Sequence, residues 1–356
     1  MLGYLVAAAI AAVFALIASG GSLPAVGAAA LVALLLAYID LPVLAYGFMD
    51  PLLYAAGGAV IGALAGALVA SARKTTPRRA PAVLAVLAVM LAGAFAFFSS
   101  TPMLHAASYR SLLGPVDTLR NDPDLAPVDP NTMRTIGRGM ASRLAERVLG
   151  EKGALGSQVR IGRMELQIVR GGWYWVAPLD HSGFLRWLGS DGTPGYVMVS
   201  AADSRDVRLV TEVGGKPLRL RYNAGAFLNQ DTRRHLYQNG YITRGLTDLS
   251  FEIDDAGRPF MVATEYVRRV GFGGDEPVGA VILDVQTGAA QRCAIAKCPA
   301  WIDLIQPEEL TLEQIDDWGR YVRGWLNTSG RDKLTTTEGV ARVLGRDGRQ
   351  YIYTGI

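Results

Sequence analysis

Hydrophobic positions divide the chain into two unlike halves. Apolar stretches run over residues 2–18, 25–47, 51–71 and 81–98, separated by short polar joints. A helix rises 1.5 Å per residue, so about 20 residues cross a hydrocarbon core of about 30 Å, and each stretch predicts a membrane-spanning helix. Asp40 and Pro42 interrupt the second stretch, which either ends at Ile39 or continues kinked to Phe48. Gly58, Gly62 and Gly66 recur every four residues, a spacing that lets helix backbones approach closely in lipid. The pattern predicts a bundle of about four helices over residues 1–99.

Beyond residue 99 the period changes. Residues 100–130 carry Pro102, Pro115, Pro123, Pro127 and Pro130 with few periodic apolar positions, and predict a linker. Asp129-Pro130 is a good helix opening, because Asp accepts from free first-turn amides and Pro has none to leave unpaired; Gly150 closes it. Ile136, Met140, Leu144 and Val148 then form its apolar face. From residue 158 short alternating strands follow with glycine turns, and they repeat. Leu166–Val176, Phe251–Val262 and Ala341–Tyr353 each read as strand, tight polar turn, aromatic strand. Gly171-Gly172 and Asp347-Gly348 supply the positive φ that twisted hairpins need. The first two copies add a further strand, at Gly195–Val199 and Gly279–Leu283. Glu309–Leu326, with Leu310, Ile315, Trp318, Tyr321, Val322 and Trp325 at three- and four-residue spacing, predicts an amphipathic helix. This organisation gives a first α+β unit over 131–240, a second with a helical insertion over 241–330, and the start of a third over 331–356. The third copy reaches Ile356 before its last strand, which leaves an unpaired edge and reads as a fragment or shortened product; the alternative is a complete domain with Tyr351–Tyr353 at a sheet edge.

Charge orients the two halves. Of 67 charged residues only six lie among the first 99: Asp40, Asp50, Arg73, Lys74, Arg78 and Arg79. An almost chargeless segment of this kind excludes a purely soluble, disordered or fibrous chain. With four basic and two acidic residues removed from totals of 35 and 32, the remainder carries 31 basic against 30 acidic, which leaves no electrostatic footprint for nucleic acid. Arg73, Lys74, Arg78 and Arg79 sit between the third and fourth apolar stretches, and short loops of Lys and Arg stay in the cytoplasm. The fourth span then exits outward and carries everything after residue 100 to the extracytoplasmic side of the plasma membrane. The opening Met1-Leu2-Gly3-Tyr4 has no basic segment, which argues against a cleaved signal peptide.

Gly257-Arg-Pro-Phe-Met-Val262, followed by Gly279-Ala-Val-Ile-Leu-Asp-Val-Gln-Thr-Gly288, resembles the PepSY repeat of bacterial envelope proteins, with Asp284, Thr287 and Gly288 matching its closing turn. Long insertions between strands, and Ala201-Ala-Asp-Ser204 in place of Thr-Gly in the first copy, depart from that pattern. The resemblance implies an extracytoplasmic regulatory or interaction module without chemistry of its own.

Candidate chemistry is sparse. His105, His181 and His235 lie outside any metal spacing, and no cofactor, phosphate-loop or nucleophile signature occurs. Gly271-Phe-Gly-Gly274 is only superficially a phosphate turn, since Asp275 and Glu276 follow it. Asp180-His181-Ser182 places three triad residue types side by side, but adjacent residues point in different directions. Cys293 and Cys298 could close as a disulfide or stay as buried thiols. Trp173 and Trp175 share one strand face and, with His181, form either a binding surface or core; Trp301, Trp318 and Trp325 read as core. The expected architecture is therefore a membrane α-helical bundle joined to an α+β extracytoplasmic domain of repeated β units. Its expected partners are the bilayer and a protein of the membrane or envelope, with no catalytic, metal or cofactor residues. An accessory subunit of a transport or channel complex is the alternative, and an envelope hydrolase using Asp180, His181 or Ser182 a weaker one.

Overall fold

The computed structural model describes residues 1–72, 79–117, 134–153, 155–302, 305–327, 329–344 and 350–356. Arg73, Lys74 and Arg78, the helix opening at Asp129-Pro130 and the Asp347-Gly348 turn lie outside the described residues.

Four helices form the N-terminal part: α1 (Leu2–Ala18), α2 (Leu23–Asp40), α3 (Asp50–Ala72) and α4 (Arg79–Ser100). Three of them, α2, α3 and the Ala82–Ser100 portion of α4, are long and apolar enough to cross a membrane; α1, at 17 residues, is apolar but shorter. The second stretch ends at Asp40, where Leu41 turns left-handed, and Asp40 is an exposed helix-end residue. The kinked continuation to Phe48 is not formed. α1 is the centre of the bundle and packs against the other three. It packs on α2, which buries the four-residue stripe Ala25, Ala29, Ala33 and Ala37. Helix α3 lies so close to α1 that a Cβ at Gly58 would stand 2.1 Å from the Ala11 carbonyl oxygen, and one at Gly62 2.5 Å from that of Ala15. Large apolar side chains such as Leu31, Leu64, Leu84 and Leu91 point outward and are more than half exposed, which suits a lipid surround.

The expected linker is partly helical. After Thr101, Pro102–Arg110 forms α5, and its Tyr109 hydroxyl donates to the Ser100 carbonyl at 2.6 Å. Proline at the first turn costs no hydrogen bond, so Pro102 starts this helix instead of preventing one.

The C-terminal part is α+β. Helix α6 runs Arg138–Gly150, with Gly137 as its cap. It buries Ala141, Ala145 and Leu149; Met140 is 43% exposed, so the buried stripe lies one residue along from the expected one. Two antiparallel meanders follow. The first sheet contains β1 (Val159–Ile161), β2 (Glu165–Val169), β3 (Gly172–His181), β4 (Tyr196–Ser200) and β5 (Val207–Val210), with short α7 (Phe184–Leu188) between β3 and β4. After a small ribbon, β6 (Glu212–Val213) with β7 (Lys216–Pro217), helix α8 (Thr232–Gln238) leads to the second sheet. That sheet is β8 (Gly245–Ile253), β9 (Pro259–Val270), β10 (Gly273–Asp284) and β11 (Ala290–Ala294), in the order β11-β10-β9-β8. Helix α9 (Glu308–Arg320) and the hairpin β12 (Val340–Leu344) with β13 (Gln350–Thr354) complete the chain. Helix α9 ends six residues short of the expected Leu326, and Trp325 is 45% exposed instead of core.

Strand alternation assigns every face. In β3, Trp173, Trp175, Ala177 and Leu179 pack with α6, whereas Val176 joins Tyr196, Met198, Phe251, Met261 and Leu283 in a core shared by both sheets. Gln167 ties the sheets together: its amide donates to the Ile253 carbonyl at 2.6 Å and accepts from the Ile253 N–H at 3.0 Å, completing a strand-like pair from a side chain 1% exposed. The outer face of the second sheet is covered by residues 295–302 and 305, with Trp301 stacked on Phe260; Cys293 and Cys298 are joined as a disulfide that holds this cover to β11. Buried Glu265 of β9 is held by Arg244, just before β8, at 3.0 Å and by Arg292 of β11 at 2.7 Å, a two-arginine clamp.

The domain is seated on one end of the bundle. The Leu44 N–H donates to Ile242 at 2.8 Å, and Arg268 lies over Phe48 and donates to the Gly47 carbonyl at 3.2 Å. The β9–β10 turn, Gly271-Phe-Gly-Gly274, is the plug: the Phe272 N–H donates to Ser100 Oγ at 3.0 Å, and its ring lies against Tyr46 and Phe95. Gly271 has φ +59°, and a Cβ there would stand 2.4 Å from the Ser99 carbonyl. On the other side Tyr237 of α8 packs on Tyr4, against Gly3, and Arg234 stacks on Tyr38.

Gly58→Leu is expected to break the α1–α3 contact, because overpacking a rigid backbone contact costs on the order of 1–3 kcal/mol or more. The detergent-solubilised variant should melt at lower temperature, while Gly57→Ala, at a position with nothing within 4 Å of its Cβ, should melt as the parent does.

Candidate functional site

Between the two sheets, α9 and the segment leading into α8 lies a polar cleft of about 880 Å³. Its floor is Phe251 and Met261, and its walls carry arginines 138, 160, 163, 233 and 342 against seven carboxylates. Two of those arginines are already paired, Arg163 with Glu165 at 2.7 Å and Arg342 with Glu308 at 2.9 Å.

Asp180 is the distinctive residue. It follows Val176 and Pro178 on the face of β3 turned toward the cleft, and the cross-strand neighbour of its backbone is Arg160. Two glycines make room for its carboxylate. A Cβ at Gly225 would stand 2.2–2.4 Å from its carboxyl atoms, and one at Gly162 3.0 Å from Oδ2. Asp180 is only 8% exposed, and its Oδ1 has no hydrogen-bond partner among the described residues. Burial pushes its pKa up to about 6, and the opposing pull of Arg160 is the smaller effect. Burial also raises Glu165, Asp231 and Asp248. Asp231 caps α8 by accepting from the Arg234 N–H at 3.0 Å, and the buried Asn223 amide and Thr232 hydroxyl have no hydrogen-bond partners among the described residues.

Chemically the cleft offers a desolvated acceptor, Asp180, and cationic donors, Arg160 and Arg233, that make no ion pair among the described residues. No Ser, Cys or His lines it among the described residues, and there no group of His, Cys, Asp and Glu converges to hold a metal ion.

The residues singled out in the sequence fall elsewhere. Trp173, Trp175 and His181 are 6%, 5% and 3% exposed, so they are core and form no binding surface. The indole of Trp175 donates to the Ile136 carbonyl at 2.7 Å and fixes the entry to α6. His181 lies one residue beyond Asp180 and so on the opposite strand face; burial lowers its pKa and favours the neutral ring. Ser182 is exposed, its hydroxyl donating to the Ser157 carbonyl at 3.5 Å, and the three side chains do not converge on one point. Arg79 begins α4. The sequence reading missed the cleft because its members come from strands, loops and helices up to about half the chain apart. The only local signal was Asp180, weighed there as part of a tripeptide and not as a lone buried acid.

No protein-family model, curated protein or solved structure matches the chain.

Asp180 makes the fold pH-dependent with a definite sign. Its folded pKa lies above the ordinary 3.8, so the folded state holds this proton more tightly than the unfolded chain. Stability is therefore undiminished at low pH and falls as pH rises from about 4 through about 6, by roughly 2–3 kcal/mol. Asp180→Asn should remove that component, raising the melting temperature at about pH 7 and leaving it nearly unchanged at about pH 4. Parallel melting curves for parent and variant, coinciding at both pH values, would contradict the assignment.

Proposed function

We propose that this chain is an integral membrane protein of the cell envelope whose C-terminal domain binds or senses a partner outside the cytoplasm, without chemistry of its own. Charge placement supports the sidedness. Arg73, Lys74, Arg78 and Arg79 lie in the sequence between the third and fourth apolar stretches, and basic short loops are retained in the cytoplasm. That reading puts the bundle in the plasma membrane and the cleft on its outer side. The resemblance of β8–β10 to the PepSY repeat supports an interaction module, and each of the two meanders carries the strand-turn-strand unit on which the resemblance rests.

The observation that carries the reading is the unpartnered Asp180 carboxylate. A buried acid with an unsatisfied oxygen lowers stability, and its retention at the wall of a wide cleft is accounted for by an incoming donor, such as a basic side chain of a protein partner. The flanking arginines would take that partner's acidic groups.

Two measurements on the full chain test this. A membrane-impermeant maleimide should label Lys152→Cys in intact cells, and Thr75→Cys only after permeabilisation; the reverse pattern would place the domain in the cytoplasm. In affinity capture from detergent-solubilised membranes, Asp180→Asn should lose the partner retained by the parent while being the more stable protein. Equal capture by both would remove the cleft from the binding role.

A further inference from the structure

Beside the cleft, the segments 184–188 and 227–230 build a small lobe whose outer surface is apolar. Phe184, Trp187 and Phe227 form a closed aromatic cluster with ring centroids 5.5–5.8 Å apart, and the Trp187 indole donates to Gln230 Oε1 at 2.6 Å. Leu185, Leu188 and Leu228 cover it and are 81%, 64% and 47% exposed. The lobe is thus rigid inside and greasy outside, in a domain whose other large apolar side chains are mostly buried.

Its position gives the surface a use. Gln238 of α8 donates to Asn229 Oδ1 at 3.1 Å and to the Tyr4 hydroxyl at 3.4 Å. Asn229, next to exposed Leu228, is therefore one side chain away from the first turn of α1, where Leu2 and Leu5 are 65% and 60% exposed on the bundle's own outer surface. Through Gln238 the lobe therefore neighbours the first turn of α1, and exposed apolar residues stand on both.

We infer that this lobe dips into the outer leaflet, with Leu185, Leu188 and Leu228 at the boundary between headgroups and acyl chains and Trp187 at interfacial depth. Tryptophan, phenylalanine and leucine are the residues that favour this zone, and the exposed Arg186 between the leucines reaches a headgroup phosphate. The occupant is the bilayer itself: the lobe neighbours the end of a bundle helix whose Leu2 and Leu5 are themselves exposed and apolar. The lobe adds a third support to the seat made by Phe272 and Tyr237, and holds the cleft at a set height above the membrane. The inference rests on the bundle lying in the bilayer.

Nitroxide labels on Leu185→Cys and Leu188→Cys test it in the full chain, reconstituted in phosphatidylcholine–phosphatidylglycerol vesicles. Leu64→Cys, outward-facing on α3, and Lys152→Cys, exposed on the domain, are the lipid and water controls. Labels at 185 and 188 should be more accessible to oxygen than to a water-soluble nickel chelate, at a depth of about 5–10 Å below the headgroups. A ratio matching Lys152 while Leu64 reads as lipid would overturn the inference and leave the spanning bundle intact. Shielding of 185 and 188 from both reagents would overturn it in favour of a protein cover. A water-like ratio at Leu64 would remove the bundle from the membrane and the lobe's role with it.

Discussion

The seat between the domain and the bundle governs what the rest of the molecule can do. A β-hairpin tip with Phe272 at its apex enters between α4 and the α2–α3 connection, and the glycine at its base lets the turn lie against the Ser99 carbonyl. Across the bundle, α8 rests on α1 through Tyr237 and Tyr4 and on the end of α2 through Arg234 and Tyr38. These contacts combine aromatic packing with backbone hydrogen bonds made by Leu44 and Phe272, so they constrain orientation as well as distance. The cleft belongs to the domain that these contacts hold to the helices.

Within the domain, one strand divides structure from site. Successive residues of β3 face α6 and the inter-sheet side in turn, so Leu179 fills the core, Asp180 faces the cleft and His181 returns to the α6 side. The odd-numbered face is apolar from Trp173 to Leu179, with two tryptophans in the core that includes α6, and only His181 at its end is polar. The even-numbered face ends in a carboxylate that neither sheet satisfies. Glu265 is the instructive contrast: it is more deeply buried, at 1% exposed against 8% for Asp180, but two arginines hold it through three hydrogen bonds. Glu265 thus has its partners within the fold, whereas Asp180 Oδ1 has no hydrogen-bond partner among the described residues.

Much of this was legible along the chain. Length and apolarity alone set four helices, because crossing or packing within lipid leaves few other options for an uncharged segment. The four-residue glycine spacing implied a close helix contact, which Gly58 and Gly62 make with α1. Alternation and glycine turns located the hairpins β2–β3 and β8–β9 and the following strands β4 and β10, since strand periodicity and positive-φ turns are local properties. The same local rules misjudged the edges: Pro102 opened a helix where a linker was expected, and α6 buries the stripe one residue on from the expected one.

What the sequence determined by itself was therefore the division into an apolar bundle and an α+β domain, together with the period of each element. Only the tertiary structure decided which face of β3 became core, that Gly271–Gly274 is a docking tip, and that Asp180 stands unpartnered between Gly162 and Gly225. The reason is physical. Periodicity and turn geometry arise from neighbours within a few residues, whereas burial, hydrogen-bond satisfaction and the desolvation of a carboxylate depend on groups brought together from distant parts of the chain.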